Sequence, residues 1–184
     1  MNNEKNKDGI FANFRKKPLK PNSFFAICEI EKGSKNKYEF DLETGFLKLD
    51  RILYTSTHYP HNYGFIPLTL SDDGDPLDVL IISSEPILPL SIVECRPIGV
   101  LEMLDGGRKD YKIMAVCKKD PFYNQYNDIS ELPSHVADEI KHFFKVYKSL
   151  ENKSTDIGDL EGHEKAEKVV KMSIEAYEKS ISQD

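Results

Sequence analysis

Asp73-Gly-Asp-Pro-Leu-Asp78 runs directly into Val79-Leu-Ile-Ile82, so three carboxylates within six residues stand where a core strand begins. Carboxylates do not belong in a core unless something cationic meets them. Hard oxygen donors on a rigid element suit Mg2+, Mn2+ or Ca2+ and suit zinc poorly. Asp-Gly and Asp-Pro are also ordinary turn dipeptides, and most acidic turns bind nothing. An EF-hand calcium loop wants acids at alternate positions, then a glycine, then a distant glutamate. Here glycine comes second and Pro76 blocks the turn.

Outward from this stretch the chain reads as strands. Residues 24–30 (FFAICEI) form an apolar run of strand character. Residues 37–50 (KYEFDLETGFLKLD) alternate around Glu43-Thr44-Gly45, as a hairpin does. Further strands are expected at 63–66, 78–83, 91–104 and 110–117, the last two flanking a Gly106-Gly107 turn. The period then changes. Pro133 opens a helix with Val136, Ile140, Phe143, Phe144, Tyr147 and Leu150 on one face. A second helix is expected from about Glu161 to Ile181, with Ala166, Val169, Val170, Ile174 and Tyr177 inward. Strands first and helices after imply an α+β fold: a small, strongly curved antiparallel sheet or barrel with helices packed outside.

A chain of 184 residues, 39% hydrophobic and 30% charged, is globular and most simply one domain. No apolar run approaches membrane-spanning length and no signal-peptide core opens the chain, so a cytoplasmic protein with no membrane partner is expected. Cys28, Cys95 and Cys117 lack zinc-site spacing and read as buried strand thiols in a reducing compartment. Net charge is −6, yet residues 1–22 hold six Lys/Arg against two acids, which leaves about −10 on the remainder. We therefore expect a solvated basic N-terminal arm over 1–22, a single domain over 23–184, and no nucleic-acid partner.

Several segments mix apolar and charged residues oddly for plain strands. Lys37 and Glu39 share one strand face, Arg51 follows Asp50 at a strand end, and Tyr59 and Tyr63 flank a Pro-His-Asn loop. Asp105, Asp110 and Lys112 surround the Gly106-Gly107 turn, and Tyr147-Lys148 lies in the first helix. Each has a bland reading. Lys37 and Glu39 could form a surface ion pair worth at most about 1 kcal/mol. Tyr147 falls on the apolar helix face, and His58, His61 and His142 read singly as structural histidines. Together, cations beside a carboxylate cluster suit a highly charged phosphate substrate, with metal ions clamping attacking and leaving oxygens. No serine or cysteine nucleophile with a base partner, no P-loop and no GxGxxG is present, which points to metal-activated water. The rival readings are a hydrolase of nucleoside polyphosphates or short polyphosphate, and a non-catalytic metal- or nucleic-acid-binding module.

The chain closely resembles the soluble family I inorganic pyrophosphatases of the bacterial type. Their signature is Asp, then Ser, Gly, Asp or Asn, then Asp, then Pro or Glu, an apolar residue and Asp, which Asp73 to Asp78 matches throughout. The segments EI…KYEFD, LDR, YPHNYGFIPLTLSDDGDPLDVL, CRPIGVLEMLD, Asp110-Tyr-Lys112 and HFFKVYKSLE follow in family order, from about Phe24 to Leu150 and more weakly beyond. The resemblance implies an OB-like five-stranded antiparallel β-barrel with flanking α-helices. It implies Mg2+-dependent hydrolysis of pyrophosphate to two phosphates, by in-line attack of metal-activated water without a covalent intermediate. Asp73, Asp78 and Asp110 would hold the activating metals, with Asp78 bridging. Asp75 would accept the proton of the nucleophile. Asp105 and Glu39 would hold further Mg2+, with Glu29 nearby. Lys37, Arg51, Tyr63, Lys112, Tyr147 and Lys148 would bind pyrophosphate, and Tyr59 would line the cavity. A homo-oligomer, a hexamer built through the HFF helix, is implied as well. The chain departs from the pattern in four ways. The gap from Glu29 to Lys37 is one residue shorter, His163 stands where tryptophan is usual, Val146 replaces a polar residue, and the N-terminal arm is longer and more basic.

Overall fold

The apolar runs and alternating segments become strands in the computed structural model, which describes residues 9–151 and 155–182. The strands are β1 (Phe24–Ile30), β2 (Asn36–Phe40), β3 (Leu47–Ile52), β4 (Asn62–Ile66), β5 (Leu77–Ile82), β6 (Ile92–Asp105), β7 (Arg108–Cys117) and β8 (Thr155–Gly162). The helices are α1 (Ser134–Val146) and α2 (His163–Ser182), with short 3-10 segments at Gly9–Lys16, Ile129–Glu131 and Ser149–Glu151.

Five strands close on themselves in the order β1-β4-β5-β7-β6, with β6 returning to pair with β1, and β8 extends the sheet from the far edge of β6. The expected barrel is therefore present, with one correction. β5 and β7 run parallel, while the other pairs of the ring are antiparallel. A closed ring with an odd number of strands cannot alternate direction all the way round, so one parallel pair is a geometric necessity. β2 and β3 pair only with each other and form a separate two-stranded sheet.

β5 shows why its sequence is an unbroken apolar run rather than an alternation. Leu80 and Ile82 pack into a core with Ile140, Phe143 and Phe144 of α1, while Leu77, Val79 and Ile81 pack into a core with Ala166, Val169 and Val170 of α2. Both faces are buried, so both carry apolar side chains. The Gly106-Gly107 turn is a two-residue hairpin loop with positive φ at both positions (57° and 82°), between the register pair Asp105 and Arg108.

Three expectations shift. β8 was not anticipated, and its last residues, Glu161 and Gly162, pair with β6, so α2 begins at His163 rather than near Glu161. Leu150 is exposed rather than on the buried face, because α1 ends at Val146 and the following 3-10 turn breaks the 3.6-residue period. In the N-terminal arm, Arg15, Lys16, Lys17 and Lys20 are exposed, but Phe11 is buried against Phe40 and Phe65, with ring centroids 5.6 Å from each. The first eight residues of that arm lie outside the described residues.

Candidate active site

Asp73-Gly-Asp-Pro is a turn that leads into β5. The Asp75 backbone N–H donates to Asp73 Oδ1 at 3.1 Å, and Leu77 N–H donates to the buried Thr69 hydroxyl at 2.9 Å. Asp78 is then the second residue of β5, and the parallel register places it opposite Lys112 of β7. Lys112 Nζ pairs with Asp78 and, at 2.7 Å, with Asp110 on its own strand face. The β6–β7 turn brings Asp105 to the same end, where Lys148, just past α1, pairs with it at 2.7 Å.

The β2–β3 sheet supplies a second wall. Lys37 and Arg51 are register partners, with a bulge after Lys37. Lys37 Nζ pairs with Glu39 and, at 3.1 Å, with Asp50. Arg51 pairs with Asp50 through Nη1 and with Glu151 through Nε at 2.9 Å. Tyr59 and Tyr63 form the floor with ring centroids 5.3 Å apart, and Lys112 Nζ lies 5.8 Å from the Tyr63 ring centre.

The two walls and the tyrosine floor enclose one cavity of about 480 Å³, with Glu151 behind Arg51 and outside its lining. Every site residue expected from the sequence is on its wall: Glu29, Lys37, Glu39, Arg51, Tyr59, Tyr63, Asp73, Asp75, Asp78, Asp105, Asp110, Lys112, Tyr147 and Lys148. Tyr147 both packs in the core, as its helix face indicated, and borders the cavity. Asp50 also lines it and was passed over in the sequence, where only its place before Arg51 marked it. Despite the shortened gap, Glu29 is in the wall and accepts the Phe40 backbone N–H at 2.7 Å, which ties β1 to β2.

The wall carries eight carboxylates against four cations. Burial pushes Glu29 up to about 8, with the Phe40 N–H opposing and the nearby Asp78 charge adding. Asp75 is also raised, by burial and then by Asp73 and Asp78. Burial disfavours the Lys112 ammonium, but Asp78 and Asp110 outweigh it and hold its pKa above the ordinary lysine value. Tyr59 and Tyr63 are raised well above the usual phenol range by burial, so their hydroxyls keep their protons. Among the described residues no histidine or cysteine lines the cavity, and no three acids already converge on a single metal position. The donor set is hard oxygen throughout and fits Mg2+ or Mn2+.

A model of the inorganic pyrophosphatase family matches residues 26–178. The chain belongs to this family. Among inorganic pyrophosphatases, it is 51% identical over 158 residues to soluble inorganic pyrophosphatase 2 of Chlamydomonas reinhardtii, covering 86% of this chain and 82% of that one. It is 49% identical over 164 residues to soluble inorganic pyrophosphatase 1 of Arabidopsis thaliana, covering 89% and 77%. The crystal structure of the Thermus thermophilus inorganic pyrophosphatase superposes with a TM-score of 0.84 at 38% identity, over 88% of this chain and 96% of that one. The Helicobacter pylori inorganic pyrophosphatase gives the same TM-score at 43% identity and the same coverage. Pyrophosphatases of algal, plant and bacterial origin thus stand among its relatives, and the α+β barrel is the fold that the two solved bacterial enzymes share with it. No helix among the described residues is long and apolar enough to cross a membrane.

Proposed function

We propose that the chain hydrolyses pyrophosphate to two phosphates and requires Mg2+ to do so. Family membership supports the reaction. The observation that carries the metal requirement is the excess of carboxylates over cations in a cavity meant for an anion: such a wall repels a polyphosphate unless divalent cations offset it. Bound metal ions would supply that charge, polarise phosphoryl oxygens and make a bound water acidic.

Asp73, Asp78 and Asp110 are the residues that would hold the activating metals, Asp78 between the other two, with Asp105, Glu39 and Glu29 available to further ions. Asp75 would take the proton of the attacking water. Burial, and then the neighbouring Asp73 and Asp78 carboxylates, raise its pKa above the ordinary aspartate value. Lys37, Arg51, Lys112 and Lys148 would neutralise the leaving phosphate, and Tyr63 and Tyr147 would donate hydrogen bonds to it. Opposite unit charges 4 Å apart are worth about 4 kcal/mol at an effective dielectric of 20, so several such contacts lower the barrier substantially. Among the described residues no serine, threonine or cysteine lines the cavity, in keeping with direct attack by water rather than a covalent intermediate.

Phosphate release by the purified protein from pyrophosphate and from ATP, each with Mg2+, tests this reading. Rapid release from pyrophosphate alone is expected, with Ca2+ inhibiting because it is larger and less strictly coordinated. No release above background sinks the proposal, and comparable release from ATP replaces it with a broader polyphosphate hydrolase. We further propose a cytoplasmic homo-oligomer, a hexamer, formed through the exposed His142 face of α1. Light scattering at neutral pH that returns the 21.1 kDa monomer mass would remove the oligomer.

A further inference from the structure

Arg51 sits on β3, in the sheet that shares no ladder with the barrel, so β-pairing to the barrel does not fix it. Arginine has several rotatable bonds, and holding its guanidinium in one pose needs partners. Two carboxylates provide them. Asp50 takes Nη1 from within the cavity wall, and Glu151, a hundred residues along the chain, takes Nε at 2.9 Å. The Glu151 side chain is only 8% exposed and does not line the cavity. The Arg51 Nη2 atom is buried and has no hydrogen-bond partner within the protein. Burial disfavours the Arg51 charge, yet Glu151 and then Asp50 hold its pKa above the ordinary value.

Glu151 is itself fixed. Its backbone N–H donates to the Lys148 carbonyl at 2.9 Å, closing the 3-10 turn that follows α1. One turn therefore presents Lys148 to the cavity and aims a carboxylate at Arg51. An exposed ion pair would be worth little. This carboxylate is enclosed, so its loss leaves a part-buried cation poorly compensated and free to reorient.

We propose that Glu151 is a positioning residue for Arg51: it fixes the guanidinium plane in the cavity wall in the pose that meets an oxygen of the leaving phosphate. This rests on the reading of Arg51 as a pyrophosphate-binding group. Glu151 never touches substrate and acts only through Arg51.

The test is a double-mutant cycle on kcat/KM for Mg-pyrophosphate with Glu151→Gln, Arg51→Ala and the double variant, and melting temperature measured alongside. Glu151→Gln is expected to lower kcat/KM about tenfold, within the range for contacting residues, and to cost almost nothing further in the Arg51→Ala background. Glu151→Asp, which keeps the charge but shortens the reach, should recover part of the loss and serves as the second variant if Glu151→Gln unfolds. An equal loss from Glu151→Gln in both backgrounds, or no loss in the wild-type background, overturns the proposal. An unchanged kcat/KM in Arg51→Ala itself would instead overturn the role of Arg51 on which the proposal rests.

Discussion

His61 is enclosed, and neither ring nitrogen has a hydrogen-bond partner in the protein. Burial first, and the Lys32 charge second, push its pKa from 6.5 down to about 4. The unfolded chain takes up a proton near pH 6.5 that the folded chain refuses until about 4. Stability from this group is therefore complete above pH 6.5 and drains as pH falls toward 4, by about 3 kcal/mol in all. Urea unfolding at pH 7 and pH 4.5 should show a smaller loss in His61→Phe than in wild type, and equal losses would assign the acid sensitivity elsewhere. Asp75→Asn should lower kcat by about 10²–10⁴ with Mg2+ activation little changed, whereas Asp78→Asn should shift the Mg2+ concentration needed for activation. Identical profiles for the two variants would show that the roles are misassigned. Part of this site was legible because three of its acids fall in one six-residue stretch and Lys37 and Arg51 stand at strand ends, and the family resemblance supplied the other expected residues. Asp50 and Glu151 were not legible, because each acts by pairing with Arg51, and Glu151 reaches it from a hundred residues away.

At the scale of elements, hairpins announced by glycine turns and buried strands announced by apolar runs were readable, and β8 was not. Its half-buried positions are Thr155, Ile157, Leu160 and Gly162, so a bulge opposite β6 breaks the two-residue alternation and a glycine takes one inward place. A Cβ at Gly162 would lie 2.4 Å from an Asp128 carboxylate oxygen, the same oxygen that accepts the His163 backbone N–H, so a larger residue there would displace that carboxylate. His163 also bonds its ring to Asp128, at 2.8 Å. Gly64 of β4 is the tightest element contact of this kind, since a Cβ would come within 1.9 Å of the Ile27 carbonyl oxygen of β1. Backbone cannot yield as a side-chain tip does, so Gly64→Ala should cost about 3 kcal/mol or more. A denaturation midpoint unchanged from wild type would show that the β1–β4 ladder gives way without penalty.

Over the whole molecule, the cavity is assembled where three separately built parts meet: the end of the barrel, the β2–β3 sheet, and the turn after α1. Chain order hides this meeting, which is why the cavity's lining could be guessed residue by residue while its walls could not. The β2–β3 sheet is attached by side-chain ties, among them Glu29 to the Phe40 N–H, Phe11 against Phe40, and Arg51 to Glu151. Its outer residues Phe46, Leu49, Ile52 and Tyr54 are exposed. A unit held this way opens without unfolding the rest, at a free energy below the global one. Native-state amide exchange should therefore find the amides of residues 36–40 and 47–52 exchanging faster than those of β5 and β7, and slowing when pyrophosphate bridges the two sides. Uniform protection across both sheets would mean they open as one. On that expectation the wall that carries Lys37 and Arg51 opens more readily than the barrel wall facing it, and the rate at which it closes sets an upper bound on how fast a captured anion can be committed to reaction.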